Sequence, residues 1–131
     1  MKYLCIVYVD ERAFDAMSES DLAALDEASL ANDEELRRGG QLILAQALQP
    51  VAAATTVRVR NGRMSATDGP FAETTEQVGG FVFIEAHDLN EAIQIAGRIP
   101  MAAVGSIEVR PEFDLVAKVR DRRARTESQR T

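Results

Sequence analysis

A turn built from Asp68, Gly69, Pro70 and Phe71 is the part of the chain whose residue types are best suited to chemistry. Aspartate can bond to the backbone of its own turn, glycine tolerates positive φ, and proline fixes φ at about −65°. Asp68 is therefore either a cap of the turn or, with its pKa raised by apolar neighbours such as Phe71, a general acid or base. We take Asp68 as the candidate catalytic residue and Phe71 as a wall of its site.

Further charged and aromatic side chains are candidates for binding a substrate. Glu73 and Glu76 follow the turn closely and are either solvated loop charges or part of a cleft. Glu85 shares a strand face with two phenylalanines, so it lies at a wet strand end or pairs with an arginine. The arginines available for that pairing are Arg58, Arg60 and Arg110. The candidate substrate-binding residues are Tyr8, Phe71, Glu73, Glu85 and Arg110, and we expect Tyr8, Asp68, Glu85 and Arg110 to converge at one end of a sheet.

Metal and cofactor chemistry finds little support in the chain. One histidine, His87, and one cysteine, Cys5, lie far apart and form no ligand-spaced cluster, so we predict no metal site. The glycine pairs at 39–40 and 79–80 lack the pattern of a phosphate loop or a dinucleotide fingerprint, so we expect no cofactor. Cys5 lies in an apolar strand, which favours a buried, inert thiol over a nucleophile.

Length and charge restrict the class of protein. A chain of 131 residues is long enough for one domain with its own core. Residues 1–116 carry nineteen acidic and nine basic groups, and a body this acidic repels phosphate backbones, which argues against nucleic-acid binding. Residues 117–131 carry six basic and two acidic groups and are expected to form a flexible tail. The sequence has no apolar run long enough for a membrane helix, so we expect no membrane association and a cytoplasmic location.

The hydrophobic pattern predicts alternating strands and helices. Ser18 is a predicted N-cap for a helix that ends at Gly39-Gly40, with Leu22, Leu25, Ser29 and Leu36 on its inner face. Asn61-Gly62 predicts a two-residue hairpin turn, and Asp88 predicts the start of a second helix. Residues 10–17 are expected to be a connection. The predicted strands cover residues 2–9, 41–48, 55–60, 63–67, 81–86 and 105–110.

A long motif in the chain resembles the signature of a known protein family. Residues 67–81, TDGPFAETTEQVGGF, resemble the signature of the DGPF-domain branch of the YCII-related family, and the resemblance extends over residues 3–111. It implies a ferredoxin-like α+β fold, β-α-β-β-α-β with an inserted hairpin, in a dimeric α/β-barrel type of assembly. Relatives often carry a histidine near Ser29 and a lysine at Thr75. This chain departs at both positions, which weakens the transfer of a His-Asp pair or of an anion site.

The resemblance leaves two classes of function open. The first is a small-molecule-binding protein with cofactor-free acid/base chemistry of an isomerase, lyase or dehalogenase type, because some relatives act on chlorinated muconolactones. Its substrate would be a small polar organic acid or lactone near the DGPF turn, oriented by Tyr8 and Arg110. The second is a non-catalytic regulatory module, because relatives are often found beside extracytoplasmic-function sigma factors.

Assembly is predicted from strand patterning. Both faces of the first strand are apolar, with Cys5, Val7 and Val9 on one and Leu4 and Ile6 on the other. Two right-handed crossovers place both helices on the same side of a sheet, which leaves the second face uncovered. An exposed apolar face of this size is unusual in a monomer, so the sequence predicts a homodimer with a sheet-to-sheet interface. The main alternative is that the inserted hairpin covers part of that face.

Overall fold

Two antiparallel sheets and four helices make up residues 1–130, which are the residues that the computed structural model describes. The strands are β1 (Lys2–Val9), β2 (Leu42–Ala47), β3 (Thr55–Arg60), β4 (Arg63–Asp68), β5 (Gln77–Glu85) and β6 (Ser106–Pro111). The helices are α1 (Glu11–Asp15), α2 (Glu19–Arg38), α3 (Leu89–Arg98) and α4 (Leu115–Arg130). Single turns of 3₁₀ helix occupy Val51–Ala53 and Pro100–Ala103.

The larger sheet has the strand order β2-β5-β1-β6, with every pairing antiparallel. This order, with α2 and α3 as the crossovers, is compatible with the predicted ferredoxin-like fold. The β1–β5 register shifts between Val7 and Tyr8, because Val7 pairs with Gly80 and Tyr8 with Val78. Gly80 must remain small, because an added Cβ would lie 2.6 Å from the carbonyl oxygen of Gln46 on β2.

One face of this sheet, here called the covered face, forms the core with α2 and α3. Cys5 and Ile84 are fully buried on it, and Ile95 of α3 is 1% exposed. The helices start at the predicted caps: Ser18 accepts a hydrogen bond from the Asp21 amide, and Asp88 accepts one from the Glu91 amide. The alternation along the central strand thus predicted correctly that Cys5, Val7 and Val9 share one face.

The opposite face of the sheet, here called the open face, is also largely apolar. Leu4, Ile6, Phe81 and Phe83 are half-buried on it, and Leu44 of β2 is 48% exposed. Within residues 1–130, none of the four helices packs extensively against this face. The structure therefore contains the uncovered face that the sequence predicted.

The hairpin of β3 and β4, here called the arm, forms the second sheet by itself. Asn61 and Gly62 have φ of 53° and 73°, which is the geometry that the Asn-Gly pair predicted for a two-residue turn. Two hydrogen bonds hold the base: the Gly69 amide donates to the Ala54 carbonyl at 2.8 Å, and the Thr56 hydroxyl donates to the Gly69 carbonyl at 2.9 Å. Beyond this base the arm has little packing against the larger sheet.

Two segments differ from the sequence-based expectation. The connection at residues 10–17 contains α1, because Asp10 accepts a hydrogen bond from the Arg12 amide and so caps a short helix. The tail, expected to be flexible, forms α4, which begins after Asp114 accepts a hydrogen bond from the Ala117 amide. In both segments an aspartate side chain caps the first turn of the helix.

Candidate functional site

Tyr8 and Arg110 meet on the open face through a residue that the sequence did not single out as a site. The Tyr8 hydroxyl donates a hydrogen bond to Glu108 Oε1 at 2.9 Å, and Arg110 Nε lies 3.2 Å from Glu108 Oε2. The hydrogen bond to Glu108 and the neighbouring negative charge raise the pKa of Tyr8. Glu108 is therefore the residue that joins two of the predicted substrate-binding side chains.

Glu85 lies at the other end of the sheet. It pairs with Lys2 at the start of β1, whereas Tyr8 lies near the end of that strand. Glu85 is exposed as the last residue of β5, which is the first of the two alternatives, a wet strand end, and its carboxylate is 3.1 Å from the terminal ammonium of Met1 rather than beside an arginine. Tyr8 and Glu85 consequently do not converge, because the length of β1 separates them.

The DGPF turn is exposed at the base of the arm. Asp68 is exposed, and Gly69 has a φ of 108°, which favours glycine at this position of the turn. Phe71 is 79% exposed, with the Arg58 guanidinium 5.4 Å from its ring centroid. Glu73 is exposed in the loop that follows. Within residues 1–130, apolar side chains do not enclose Asp68, so its environment is that of a turn.

The same loop does reach the sheet near Tyr8. Glu76 accepts a hydrogen bond from the Ser106 hydroxyl at 3.1 Å, and Ser106 pairs with Tyr8 across β6 and β1. Gln77 holds the loop from its other side by donating to the Ala72 carbonyl at 2.7 Å. The segment after the DGPF turn is therefore fixed beside the cluster of Tyr8, Glu108 and Arg110.

A cavity of about 820 Å³, here called the cavity, lies between the sheet and the N-terminal part of α2. Its floor is formed by the covered face around Val7, Gly80 and Val82, and its roof by Leu22 and Leu25. None of the six predicted site residues, all of which lie within residues 1–130, lines it. The cavity exists because α2 packs tightly only at its C-terminal end, where Leu36 is buried, while Leu22 and Leu25 are half-exposed.

The polar groups of the cavity come mainly from successive turns of α2. The Ser29 hydroxyl donates to the Leu25 carbonyl at 2.9 Å, a local bond within the helix. The side-chain nitrogen of Asn32 is buried with no hydrogen-bond partner within residues 1–130. Burial raises the pKa of Asp33, and nearby Arg37 opposes that shift. Asn32 and Asp33 lie three and four residues after Ser29, so helical spacing places them on the same inner face.

The charge of the cavity lining is negative. Glu11, Asp15, Asp26 and Asp33 line it, and among residues 1–130 it has no arginine, lysine or histidine in its lining. Glu11 is partly engaged, because its carboxylate accepts a hydrogen bond from the Val51 amide at 2.9 Å. An apolar interior with four carboxylates around it suits a neutral or cationic ligand better than an anion.

Residues 1–130 contain no group of three or more histidine, cysteine, aspartate or glutamate side chains arranged to hold a metal ion. No helix in the described part of the chain is long and apolar enough to cross a membrane. Cys5 is buried, which raises the pKa of its thiol to about 11 and keeps it protonated at neutral pH.

Comparison with known proteins gives a consistent result. Residues 1–115 match the model of the YCII-related domain. The chain is also 35% identical over 113 residues to an uncharacterized protein of Rhizobium meliloti (strain 1021), which covers 85% of this chain and 91% of that protein. Neither description states an activity.

Proposed function

This chain belongs to the YCII-related family, and from that premise we propose that it is a small-molecule-binding protein whose ligand occupies the cavity beneath α2. The ligand has an apolar body and a neutral or positively charged polar group. The observation that carries this proposal is the cavity itself, which has the volume of a ligand site and an apolar floor.

Charge argues for a different ligand class from the organic acid expected from the sequence. An entering carboxylate would face Asp26 and Asp33 without a basic side chain in the lining of the described residues to compensate. A neutral lactone or amide, or an amine, avoids that repulsion. The proposed ligand is therefore neutral or cationic. Of the two substrate types expected from the sequence, an organic acid or a lactone, we retain the lactone.

Polar recognition would come from Asn32. Its buried side-chain nitrogen is a donor without a partner in residues 1–130, and leaving such a donor unpaired is costly. A ligand carbonyl or hydroxyl oxygen at this point would satisfy it. Asp33, whose pKa burial raises, is the carboxyl group best placed to act as a base toward a bound ligand.

The acid/base role of Asp68 remains a separate prediction. Asp68 is exposed in its turn, and the loop that follows it leads to the cluster of Tyr8, Glu108 and Arg110. Replacement Asp68→Asn tests that role directly. If ligand binding and any turnover are unchanged in Asp68→Asn, the residue has no part in the site.

The test of the cavity uses three ligands that share one alkyl chain and differ in charge: hexanamide, hexylamine and hexanoate. Differential scanning fluorimetry and calorimetry should show binding of the amide and amine and none of hexanoate. Ser29→Leu fills the cavity and should abolish binding, whereas Ala28→Leu, on the exposed side of the same turn, should preserve it. Preferential binding of hexanoate, or equal binding to both variants, would refute the proposal.

We also propose that the protein is a homodimer that pairs its open faces. The support is the strip of half-buried Leu4, Ile6, Phe81 and Phe83 together with the exposed Leu44. A second copy presenting the same strip would bury it by two-fold symmetry, in an interface of roughly 1,200 Å² or more. Contacts of this kind are apolar, so the dimer should be insensitive to salt.

A second candidate function, that of a regulatory module, is supported by α4. This helix carries six of the chain's basic residues and exposes Leu115 and Val116, at 62% and 68%. A basic helix with an apolar side suits an acidic protein surface, such as one on an extracytoplasmic-function sigma factor. Direct binding of the purified sigma factor should be lost in Arg120→Glu/Arg123→Glu and kept in Arg58→Glu; equal binding by both variants would exclude α4.

A further inference from the structure

α4 is a helix whose apolar side is left uncovered within residues 1–130. Leu115 and Val116 are 62% and 68% exposed, and the helix makes few contacts with the rest of the described chain. A helix of 16 residues is marginally stable alone in water, because most helical stability in proteins comes from packing of an amphipathic face. The apolar side of α4 therefore indicates a contact with another molecule.

One side of α4, here called the α4 stripe, combines apolar and basic side chains. It consists of Leu115, Val119, Arg123 and Arg130. Successive members are four, four and seven residues apart, so they lie on the same side of the helix. The stripe therefore presents apolar groups near the start of α4 and guanidinium groups towards its end.

The exposed side of α2, here called the α2 stripe, has the opposite charge. It consists of Glu19, Asp26 and Leu30, which are seven and four residues apart and are all exposed. Residues 19–36 hold seven acidic and no basic residues, so no cation in this part of α2 offsets the carboxylates of the stripe. A helix side that is apolar and acidic suits one that is apolar and basic.

The two stripes match in spacing as well as in charge. Each has an apolar residue, a charged residue four positions away and a second charged residue seven positions beyond it. Antiparallel packing of the helices sets three pairs opposite one another: Val119 and Leu30, Arg123 and Asp26, and Arg130 and Glu19. Within residues 1–130, none of these four charged side chains forms an ion pair with another residue. All four are therefore available for pairing between molecules.

The α2 of the same chain does not take this role. α2 packs beside β2 and α3 beside β6, at opposite edges of the sheet, and α4 follows β6 along the chain. α3 therefore separates α4 from the α2 of its own chain, and the two helices make no extensive contact.

A second copy paired through the open faces brings the stripes together. β6 and α2 end at the same end of the sheet, where the Glu112 amide donates to the Lys2 carbonyl and the Glu85 amide donates to the Gln41 carbonyl. A two-fold axis parallel to the strands keeps that end in common and places the β6 edge of one copy opposite the β2 edge of the other. A helix that turns back from β6 then runs antiparallel to the α2 of the second copy.

We propose that the α4 stripe of each copy docks antiparallel on the α2 stripe of the other copy in the homodimer. The contact rests on the proposed open-face dimer and adds to its interface rather than replacing it, because a stable interface needs roughly 1,000 Å² or more. It uses the helix of the regulatory alternative but requires no sigma factor. Because Asp26 and Leu30 also line the cavity, the docked α4 borders the cavity mouth.

Disulfide trapping between two separately mutated chains, mixed so that subunits exchange, tests this contact. One chain carries Val119→Cys and the other Leu30→Cys. The control chain carries Ala28→Cys, which is exposed on the other side of α2. The native Cys5 is buried and does not compete. We expect at least tenfold more mixed disulfide with Leu30→Cys than with Ala28→Cys, as measured by mass spectrometry.

Charge exchange between the stripes provides the second measurement. Arg123→Glu/Arg130→Glu, added to the Val119→Cys chain, should reduce the mixed disulfide at least tenfold, because it sets carboxylates against carboxylates. Glu19→Arg/Asp26→Arg in the Leu30→Cys chain should then restore the disulfide. High salt should reduce trapping of the unaltered stripes without splitting the dimer.

A matched control changes the same charge on the other side of α4. Lys118 and Arg125 lie outside the stripe, so Lys118→Glu/Arg125→Glu should leave trapping unchanged. Circular dichroism and light scattering identify the variants that are folded and dimeric, and trapping is compared among these.

Three outcomes would overturn the helix contact while leaving the open-face dimer intact. They are equal trapping with Ala28→Cys, an equal loss of trapping in the two α4 charge variants, and failure of Glu19→Arg/Asp26→Arg to restore the disulfide. A wild-type mass of 14.3 kDa by light scattering would instead refute the open-face dimer and, with it, the helix contact.

Discussion

The two faces of the four-stranded sheet are built from the same strands, but helices cover only one of them. On the covered face, Cys5 and Ile84 are completely buried beneath helices. On the open face, their sequence neighbours Leu4 and Phe83 are only half-buried, although they are as apolar. Hydrophobicity alone therefore does not decide which face is covered within one chain; the handedness of the crossovers does.

This difference separates two kinds of stabilisation. Burial on the covered face contributes to the folding of each chain, whereas burial on the open face would contribute to association and depend on protein concentration. Substitutions of adjacent residues on β5, which face opposite ways, can distinguish the two.

The largest expected effect is on the covered face. Ile84→Ala removes a side chain with no exposed surface and leaves a cavity, so it should lower the free energy of unfolding by about 2–5 kcal/mol. Urea denaturation monitored by circular dichroism measures this change. A loss below about 1 kcal/mol would show that the covered face is not the main core.

The neighbouring substitution Phe83→Asp should act on association instead. It places a charge beside Leu4 and Leu44 on the open face, so light scattering at micromolar concentration should give the monomer mass of 14.3 kDa. The wild type should give twice that mass. Leu89→Asp, an exposed apolar position on α3, is the control and should remain dimeric. A wild-type mass of 14.3 kDa would contradict the predicted dimer.

The smallest effect should arise at the polar edge of the open face. Because Glu108 raises the pKa of Tyr8, Glu108→Gln should lower that pKa toward its ordinary value. The pKa of Tyr8 is higher in the folded protein than in the unfolded chain. Its contribution to folding stability is therefore complete below the unfolded pKa and is lost as the pH rises through the folded pKa. Absorbance titration in a Tyr3→Phe background, where Tyr8 is the remaining tyrosine, measures the shift. An unchanged titration would remove Glu108 as its cause.

Local patterns predicted the larger elements well. Alternation in β1 and β5 identified the two faces, Asn61-Gly62 identified the arm, and Ser18 and Asp88 identified two helix starts. These features depend on residues close together in the chain. The family resemblance was also confirmed by the match to the YCII-related domain.

The candidate site was harder to predict because it depends on distances between elements. The parity of β5 placed Glu85 on the correct face but gave no information on its pairing with the Met1 ammonium. The link from Tyr8 through Glu108 to Arg110 requires the β1–β6 register. The cavity depends on how closely the N-terminal part of α2 packs on the sheet, which no local pattern specifies. Asn32 lies three residues after Ser29 on the inner face of α2, but a polar residue at that spacing does not by itself predict a binding site.

The central position of β1 has a consequence for how the chain reaches this structure. Its partners come late in the sequence, in pairings that run from Tyr8–Val78 to Tyr3–Pro111. During synthesis, the strand with two apolar faces is made first and waits for β5 and β6, while α2 and the arm can form locally. The four-stranded sheet should therefore form only after β6 has left the ribosome, and β1 is exposed to aggregation and to chaperones in that interval.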